Sequence, residues 1–289
     1  MLGLTIDLQL QLFDNLVTPI LLYGAEIWGG GNNDIIEKLH LKFCRILLHV
    51  NNSTPRCMIN GDLGRYPLQV YIDQRMMNYW ARIIQCDDHK LNRQLYQITY
   101  TLCKLKSLDS EWMLHVKKIL NNCNMYQYWL TQNIQVPSIN IFRQLVKTTL
   151  CSNYKREWED AVYSSQKCYN YQIFKRELSL DYLVKLPPPL RIIFAKFRLS
   201  NHNLPIEKGR HENIIRIERK CTQCHVLGDE FHYLFICPLF HDDRKLFLSK
   251  GYLNRVNTEK YHSLFSSKNY SKLCKLVQFI KIIMTELKH

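Results

Sequence analysis

Apolar residues recur at helical spacing along almost the whole chain, whereas the strict apolar–polar alternation typical of strands is scarce. The first such segment has an apolar residue at every fourth position: Leu4, Leu8, Leu12, Leu16 and Ile20. The pattern predicts helices over residues 4–22, 35–50, 69–85, 91–103, 109–121, 124–132, 138–150, 153–164, 170–178, 190–200 and 270–287. Met76 and Trp80 lie on the apolar stripe of their helix and are expected in the core. The sequence therefore predicts a mainly α fold.

The clearest interruption of this pattern is the run Leu186-Pro187-Pro188-Pro189. Proline lacks a backbone N–H and fixes φ, so three in succession stop any preceding helix. We therefore expect a domain boundary at this run, with the basic C-terminal region beginning at residue 186.

The composition is that of a folded protein with about two domains, at 289 residues, 46% hydrophobic and 12% aromatic. Its eleven cysteines are mostly scattered singly, which favours free thiols in a reducing compartment over a disulfide framework. The first residues lack a signal-peptide pattern, and the apolar run Ile20–Tyr23 is too short to span a bilayer. These features predict an intracellular protein without a membrane partner.

Three cysteines and one histidine fall at the spacing C-x2-C-x7-H-x4-C: Cys221, Cys224, His232 and Cys237. A Cys-x-x-Cys turn can offer two thiolates to one ion, and a histidine with a third cysteine completes the tetrahedral Cys3His shell of structural Zn²⁺. Because a residue before proline avoids the helical region, Pro238 should end the helix that carries His232 by Cys237. The rival interpretation, a redox Cys-x-x-Cys pair, requires a βαβ context that the pattern does not predict.

Two further histidines are possible substitute ligands. His225 is adjacent to Cys224 and poorly placed to complete the same shell, and His241 is a weaker rival to His232. We therefore predict Cys221, Cys224, His232 and Cys237 as the metal ligands, with Zn²⁺ in a structural role.

Positive charge is concentrated in the later part of the chain. Residues 1–67 carry five Lys/Arg and six Asp/Glu, whereas the whole chain has a net charge of +14. Nine Lys/Arg lie between Lys185 and Lys220 against three glutamates. This asymmetry favours a polyanionic partner, although a solvated basic surface explains it about equally well. The predicted nucleic-acid-binding residues are Lys196, Arg198, His202, Lys208, Arg210, Arg216, Arg219 and Lys220.

The aromatic residues of the cysteine-rich segment have two possible roles. Phe231, Tyr233 and Phe235 could stack on bases, but a small zinc module needs aromatic residues for its core, which is the role we expect. The acidic pairs Asp87-Asp88 and Asp242-Asp243 are placed at predicted helix ends rather than on a strand hairpin. No catalytic residues are therefore predicted, and the chain is not expected to be an enzyme by itself.

Two groups of segments carry a family resemblance. The segments PILLYGAEIWG (19–29), EKLHLKF (37–43) and GDLGRYPL (61–68) resemble the region after the catalytic palm of LINE-type (non-LTR) retrotransposon reverse transcriptases. The segments FRLSNHNLPIEKGR (197–210), ERKCTQC (218–224) and DEFHYLFICP (229–238) are similar to the CCHC-bearing C-terminal segment of the same polyproteins. The order of the segments also matches.

The resemblance implies three regions: a thumb-like helical region (1–88), a helical connector (89–185), and a basic, CCHC zinc-containing nucleic-acid-binding region (186–289). It implies RNA and/or DNA as partners, the polymerase part of a related element as a further partner, and a location in the nucleus and/or a cytoplasmic ribonucleoprotein. The Asp-Asp motif of the family's polymerase lies upstream of these segments, so the expected activity is binding without catalysis. The alternative is a zinc-stabilised helical protein-interaction module that does not bind nucleic acid.

Overall fold

The computed structural model describes residues 4–134, 138–180 and 182–287. Within these ranges the secondary structure is helical, with a single isolated antiparallel bridge between Lys220 and Leu227, which confirms the mainly α fold. The α-helices, numbered α1 to α18 in chain order, are Ile6–Leu12, Thr18–Leu21, Ala25–Trp28, Asp34–Leu48, Arg56–Leu63, Leu68–Ile84, Leu91–Lys104, Glu111–Asn122, Tyr126–Thr131, Ile139–Ser164, Tyr171–Phe174, Pro188–Arg198, Pro205–His211, Glu230–Phe235, His241–Phe247, Lys250–Leu253, Thr258–Phe265 and Tyr270–Glu286. A π-helical segment covers Phe13–Val17, and 3-10 turns cover Gln166–Cys168, Arg216–Glu218 and Pro238–Phe240.

The chain forms two compact units. The larger unit contains Met1–Asp7, Leu41–Arg65 and Trp158–His289, and the smaller unit contains Leu8–His40 and Tyr66–Glu157. The predicted regions 1–88, 89–185 and 186–289 do not coincide with these units, because residues 41–65 pack with the C-terminal part of the chain rather than with their sequence neighbours.

The smaller unit is built around α6. Most of its apolar residues are buried, and Met76 and Trp80 are part of the core as predicted. The indole Nε1–H of Trp80 donates to the Tyr96 hydroxyl at 2.8 Å, and the Trp80 ring lies 6.0 Å from the ring of Phe142. The buried polar end of Trp80 is therefore satisfied within the core.

The larger unit has an aromatic core. α12 packs against α18, whose Leu273, Leu276 and Ile280 are fully buried. Phe265 of α17 stacks on Phe174 with ring centroids 4.6 Å apart. The predicted helices over 190–200 and 270–287 thus correspond to α12 and α18.

The first predicted helix differs from the structure in two ways. Residues 4–22 form α1, the π-helical segment and α2 instead of one α-helix. Leu16 and Ile20, at the repeated fourth positions, are exposed, whereas Ile6 and Phe13 are buried. A spacing of four advances about 40° per step around an α-helix, and a π segment shifts the phase further, so the stripe leaves the buried face.

Three other predictions need correction. Residues 138–150 and 153–164 belong to one continuous helix, α10, and α11 spans only Tyr171–Phe174 of the predicted 170–178. The proline run does not separate units, because both of its sides belong to the larger unit. Instead, Pro188 occupies the first turn of α12, where its fixed φ favours helix initiation.

Candidate metal centre

Cys221 and Cys224 lie on a tight turn closed by backbone hydrogen bonds. The Cys221 N–H donates to the carbonyl of Val226 at 2.8 Å, and the His225 N–H donates to the carbonyl of Cys221 at 2.9 Å. His225 adopts a left-handed conformation with φ of 55°, which reverses the chain after Cys224. The turn brings both thiols to one side, as metal binding by a Cys-x-x-Cys motif requires.

The third and fourth candidate ligands come from α14 and the residues after it. Asp229 caps this helix, accepting a hydrogen bond from the His232 N–H at 2.9 Å. The helix ends at Phe235, and Cys237 has φ −54° and ψ 124°, outside the helical region. The predicted end of the helix before Pro238 is confirmed, and this change of direction returns the Cys237 thiol towards His232.

The structure brings the four predicted ligands together. One ligand atom from each of Cys221, Cys224, His232 and Cys237 lies within 4.8 Å of the others. The Cys237 Sγ is 3.9 Å from the Sγ of Cys221 and 3.8 Å from that of Cys224. Four sulfur ligands at about 2.3 Å from a tetrahedral Zn²⁺ are about 3.8 Å apart, so this sulfur spacing fits such an ion.

The imidazole of His232 gives a second indication that the cluster binds a metal ion. Its Nδ1 and Nε2 atoms are both buried, and neither has a hydrogen-bond partner among the described residues. A buried polar atom without a partner is costly, and a metal bond to one nitrogen would remove part of that cost. The cluster can therefore hold a metal ion.

The electrostatics of the cluster favour thiolate at one position in particular. Burial acts to raise the pKa of Cys221, but hydrogen bonds from Tyr233 and from the backbone N–H groups of Cys224 and Gln223 outweigh it and lower the pKa. Burial raises the pKa of Cys237 to about 12. Metal binding must therefore displace a proton from the Cys237 thiol, which makes it dependent on pH.

Arg244 holds the end of α14 in place. Its buried guanidinium donates from Nε to the carbonyl of Leu234 at 2.7 Å and from Nη2 to the carbonyl of Cys237 at 2.9 Å. Burial lowers the pKa of His232, and the charge of Arg244 lowers it further, which favours the neutral imidazole that a metal needs.

The substitute ligands are outside the cluster. His225 is exposed and is used for the chain reversal, and His241 is exposed at the start of α15. All eleven cysteines are free, and most of those outside the cluster are scattered singly.

Two of the predicted nucleic-acid-binding residues are buried, which corrects that prediction. Arg198 is paired with Asp62, and His202 Nε2 lies 2.9 Å from the carboxylate of Glu230. Burial acts to raise the pKa of Glu230, but hydrogen bonds from His202 and Asn170 outweigh it and bring the pKa to about 2. Neither side chain is available to a phosphate in this structure, because each is enclosed with its carboxylate.

The other predicted basic residues are at least partly accessible. Lys208 and Lys220 are exposed, and Lys196 is half-buried. Arg210 is ion-paired with Glu207, whose second oxygen lies 3.1 Å from Lys167. The described structure thus leaves the two lysines as its most available cations in this set.

Arg216 and Arg219 have structural contacts of their own. The Arg216 guanidinium lies 4.2 Å from the ring centre of Tyr169. Arg219 donates from Nε to the carbonyl of Ile214 at 2.8 Å and from Nη1 to that of Ile206 at 3.2 Å. Part of the donor capacity of Arg219 is therefore used to hold the segment before the cysteine turn.

The aromatic residues of the segment belong to the core, as expected. Tyr233 and Phe235 are buried, and Phe231 is half-buried with its ring 5.6 Å from that of Tyr261. This packing joins α14 to α17 and leaves little ring surface for a base.

A buried charged cluster in the larger unit was not identified from the sequence. The Asp62 carboxylate accepts from Nε and Nη2 of Arg198 at 3.2 Å each, and from the hydroxyls of Tyr182 at 2.8 Å and Tyr171 at 3.2 Å. The Arg198 guanidinium lies 4.4 Å from the ring centre of Phe174. Asp62 and Arg198 come from the two widely separated groups of segments that carry the family resemblance, and the sequence gives no local signal of their pairing.

The acidic pairs are at helix ends, as expected. Asp87 and Asp88 are exposed after α6, and Asp88 lies 3.2 Å from Arg93. Asp242 and Asp243 are in the first turn of α15. Across the described part of the chain, no helix combines the length and hydrophobicity needed to cross a membrane.

No protein-family model, curated protein or solved structure matches this chain.

Proposed function

We propose that the chain is an RNA- or DNA-binding protein whose cysteine-rich segment is folded by a structural zinc ion. The main supporting observation is the Cys221–Cys224–His232–Cys237 cluster. Its sulfur spacings fit a tetrahedral site, and its imidazole nitrogens have no hydrogen-bond partner among the described residues. Three cysteine ligands favour a soft or borderline ion such as Zn²⁺ over Mg²⁺ or Ca²⁺. A tetrahedral ion at this cluster would take all four ligands from the protein, which is typical of a structural site.

The basic stretch from Lys185 to Lys220 leads directly into this cluster. Of its nine Lys/Arg, Arg191 and Arg198 are buried, and the accessible ones favour a polyanion. Lys208 and Lys220 are exposed, with Lys196 and Arg216 partly exposed, and these four are the proposed phosphate contacts. Four contacts to a single strand would weaken binding about 50-fold between about 50 and about 200 mM salt.

The test is fluorescence anisotropy with single-stranded and double-stranded RNA and DNA. The variant Lys208→Glu/Lys220→Glu changes two exposed side chains, and Lys245→Glu/Lys250→Glu, also exposed, is the charge control. We expect the first variant to lose affinity and salt sensitivity, and the control to change little by comparison. Equal affinities for both variants, or binding that does not change with salt, would contradict the proposal.

The proposal extends to the origin of the chain, which we infer to be the C-terminal part of a LINE-type reverse transcriptase. The supporting observations are the two groups of similar segments and their order. The polymerase part of a related element is then a second proposed partner, in a nuclear and/or cytoplasmic ribonucleoprotein. We propose that this chain has no polymerase activity by itself. Primer extension with Mg²⁺ above background would contradict this part of the proposal.

One observation favours the alternative, a protein-interaction module. α7 and the residue after it expose an apolar stripe at alternating spacings of four and three: Leu91, Leu95, Ile98, Leu102 and Leu105. Such spacing is typical of a coiled-coil seam. The residues that flank its middle part, Asn92, Gln94, Thr99 and Thr101, are uncharged, whereas Lys90, Lys104 and Lys106 flank its two ends.

Sedimentation equilibrium of the full chain tests this alternative. A concentration-dependent dimer that Leu95→Glu/Ile98→Glu abolishes would favour it. A monomer that still binds nucleic acid would leave the first proposal in place and exclude self-association through α7.

A further inference from the structure

Three arginines of the smaller unit line one cleft. Arg75, Asn78 and Arg82 project from one face of α6, Arg143 comes from α10, and Glu26 from α3 completes the lining. The cleft has a volume of about 330 Å³, which is large enough for a phosphate with part of the molecule that carries it.

Among the described residues, the three arginines of this cleft form no ion pair. Within the described ranges, no carboxylate lies within ion-pair distance of Arg75, Arg82 or Arg143, although Glu26 lines the same cleft. Guanidinium groups that converge without an ion pair repel one another, and a bound anion would reduce that repulsion.

Two residues that line the cleft each have a buried side-chain polar atom with no hydrogen-bond partner among the described residues. These atoms are Nε of Arg143, which is a donor, and Oδ1 of Asn78, which is an acceptor. Buried polar groups are normally satisfied, so an unpartnered donor beside other guanidinium groups indicates a missing acceptor.

The guanidinium groups are also held in place. Arg75 Nη1 donates to the carbonyl of Leu22 at 2.8 Å, Arg143 Nη1 donates to Asn140 at 3.3 Å, and Arg82 lies over the ring of Tyr79 at 5.6 Å. Each contact uses only part of one guanidinium, so N–H groups remain for a ligand. Planar guanidinium groups match the oxygen spacing of phosphate and can donate two parallel hydrogen bonds to it.

We propose that this cleft binds a phosphate group, carried either by a free phosphorylated molecule or by a nucleic-acid strand. Arg75, Arg82 and Arg143 donate to the phosphate oxygens, and the Asn78 Oδ1 accepts from a hydroxyl or amine of the ligand. The site is in the smaller unit and uses none of the residues from Lys185 to Lys220, so it does not depend on the proposed nucleic-acid surface.

The test uses the full chain loaded with zinc and follows the arginine Nε–H signals by NMR. Inorganic phosphate, ribose 5-phosphate and a short RNA are the three probes. We expect saturable shifts of the Arg143 Nε–H with at least one probe, and an affinity at least about tenfold lower in Arg82→Gln, because a charged hydrogen bond is lost. Arg82 is exposed, so this variant leaves the core of the unit intact. Arg156→Gln, an exposed arginine of the same unit outside the cleft, is the control.

The three probes identify the source of the phosphate. Binding of the two small probes assigns a free phosphorylated ligand, and binding of the RNA alone assigns a strand. No saturable shift with any probe, or equal affinities in Arg82→Gln and Arg156→Gln, would overturn the proposal. The Lys208→Glu/Lys220→Glu variant should still bind the probes at the arginine cleft. Loss of that binding in this variant would contradict the independence of the two sites.

Discussion

Replacing Arg198 by methionine removes a buried charge while keeping much of the side-chain volume. The Asp62 carboxylate would lose two donors at 3.2 Å and keep the two tyrosine hydroxyls as donors. The carbonyl of Phe265 would lose its donor from Nη1 at 3.2 Å. The side chains are 0% exposed for Asp62 and 2% for Arg198, so water cannot replace these contacts. Breaking a buried pair of this kind costs about 3 to 5 kcal/mol, and we expect a loss of that size in the free energy of unfolding.

Urea unfolding of the zinc-loaded chain at pH 7, followed by circular dichroism, measures this loss. Lys245→Met is the matched control, because it removes one partner of an exposed pair with an N–O distance of 3.7 Å. The control should leave the unfolding midpoint unchanged. In the double variant Asp62→Asn/Arg198→Met, the loss should be smaller than the sum of the single losses. A loss below about 1 kcal/mol in Arg198→Met would refute the argument that this pair organises the core of the larger unit.

Three further predictions concern the same unit. His232→Ala should abolish zinc binding measured by a chromophoric chelator, whereas His241→Ala should retain it. Gly61→Ala should lower the urea midpoint, because a Cβ there would collide with the buried hydroxyl of Tyr171. Gly251→Ala is the control and should leave the midpoint unchanged, because a Cβ at Gly251 meets nothing within 4 Å. Burial acts to raise the pKa of Asp62, but the charges of Arg198 and Lys175 outweigh it and lower the pKa. The ionised carboxylate therefore stabilises the fold above its unfolded pKa of about 3.9. This contribution is lost as the pH falls through the lower pKa of the folded state. The acid-unfolding profile of Asp62→Asn should lack that component; a profile with the same slope as the unchanged chain below about pH 4 would contradict the assignment.

Strong apolar stripes made most helices predictable from the sequence. α4, α6 and α18 end within two residues of their predicted limits because each has one continuous apolar face. α1 and the segment after it have apolar residues on more than one side, and there the pattern selected the exposed face. Periodicity alone cannot choose between two apolar faces, because the choice depends on which one meets the core.

The metal ligands were predictable because their spacing is local. All four metal-ligand residues lie within one segment of 17 residues. The turn, the short helix and the proline that position them can each be recognised in the sequence. The burial of Arg198 and His202 was not predictable from the sequence, since their partners Asp62 and Glu230 are 136 and 28 residues away. A count of cations cannot distinguish a solvated guanidinium from one neutralised inside the fold. The arginine cleft of the smaller unit was missed for the related reason that Arg143 is distant in sequence from Arg75 and Arg82.

The zinc content of the purified full chain tests the central claim most directly. Metal analysis by mass spectrometry should find a single zinc ion per chain, lost in the variant Cys221→Ser/Cys224→Ser. The matched variant Cys86→Ser/Cys274→Ser changes two free cysteines outside the cluster and should retain the ion. A chain that binds no metal, or one that retains zinc after loss of Cys221 and Cys224, would contradict the account.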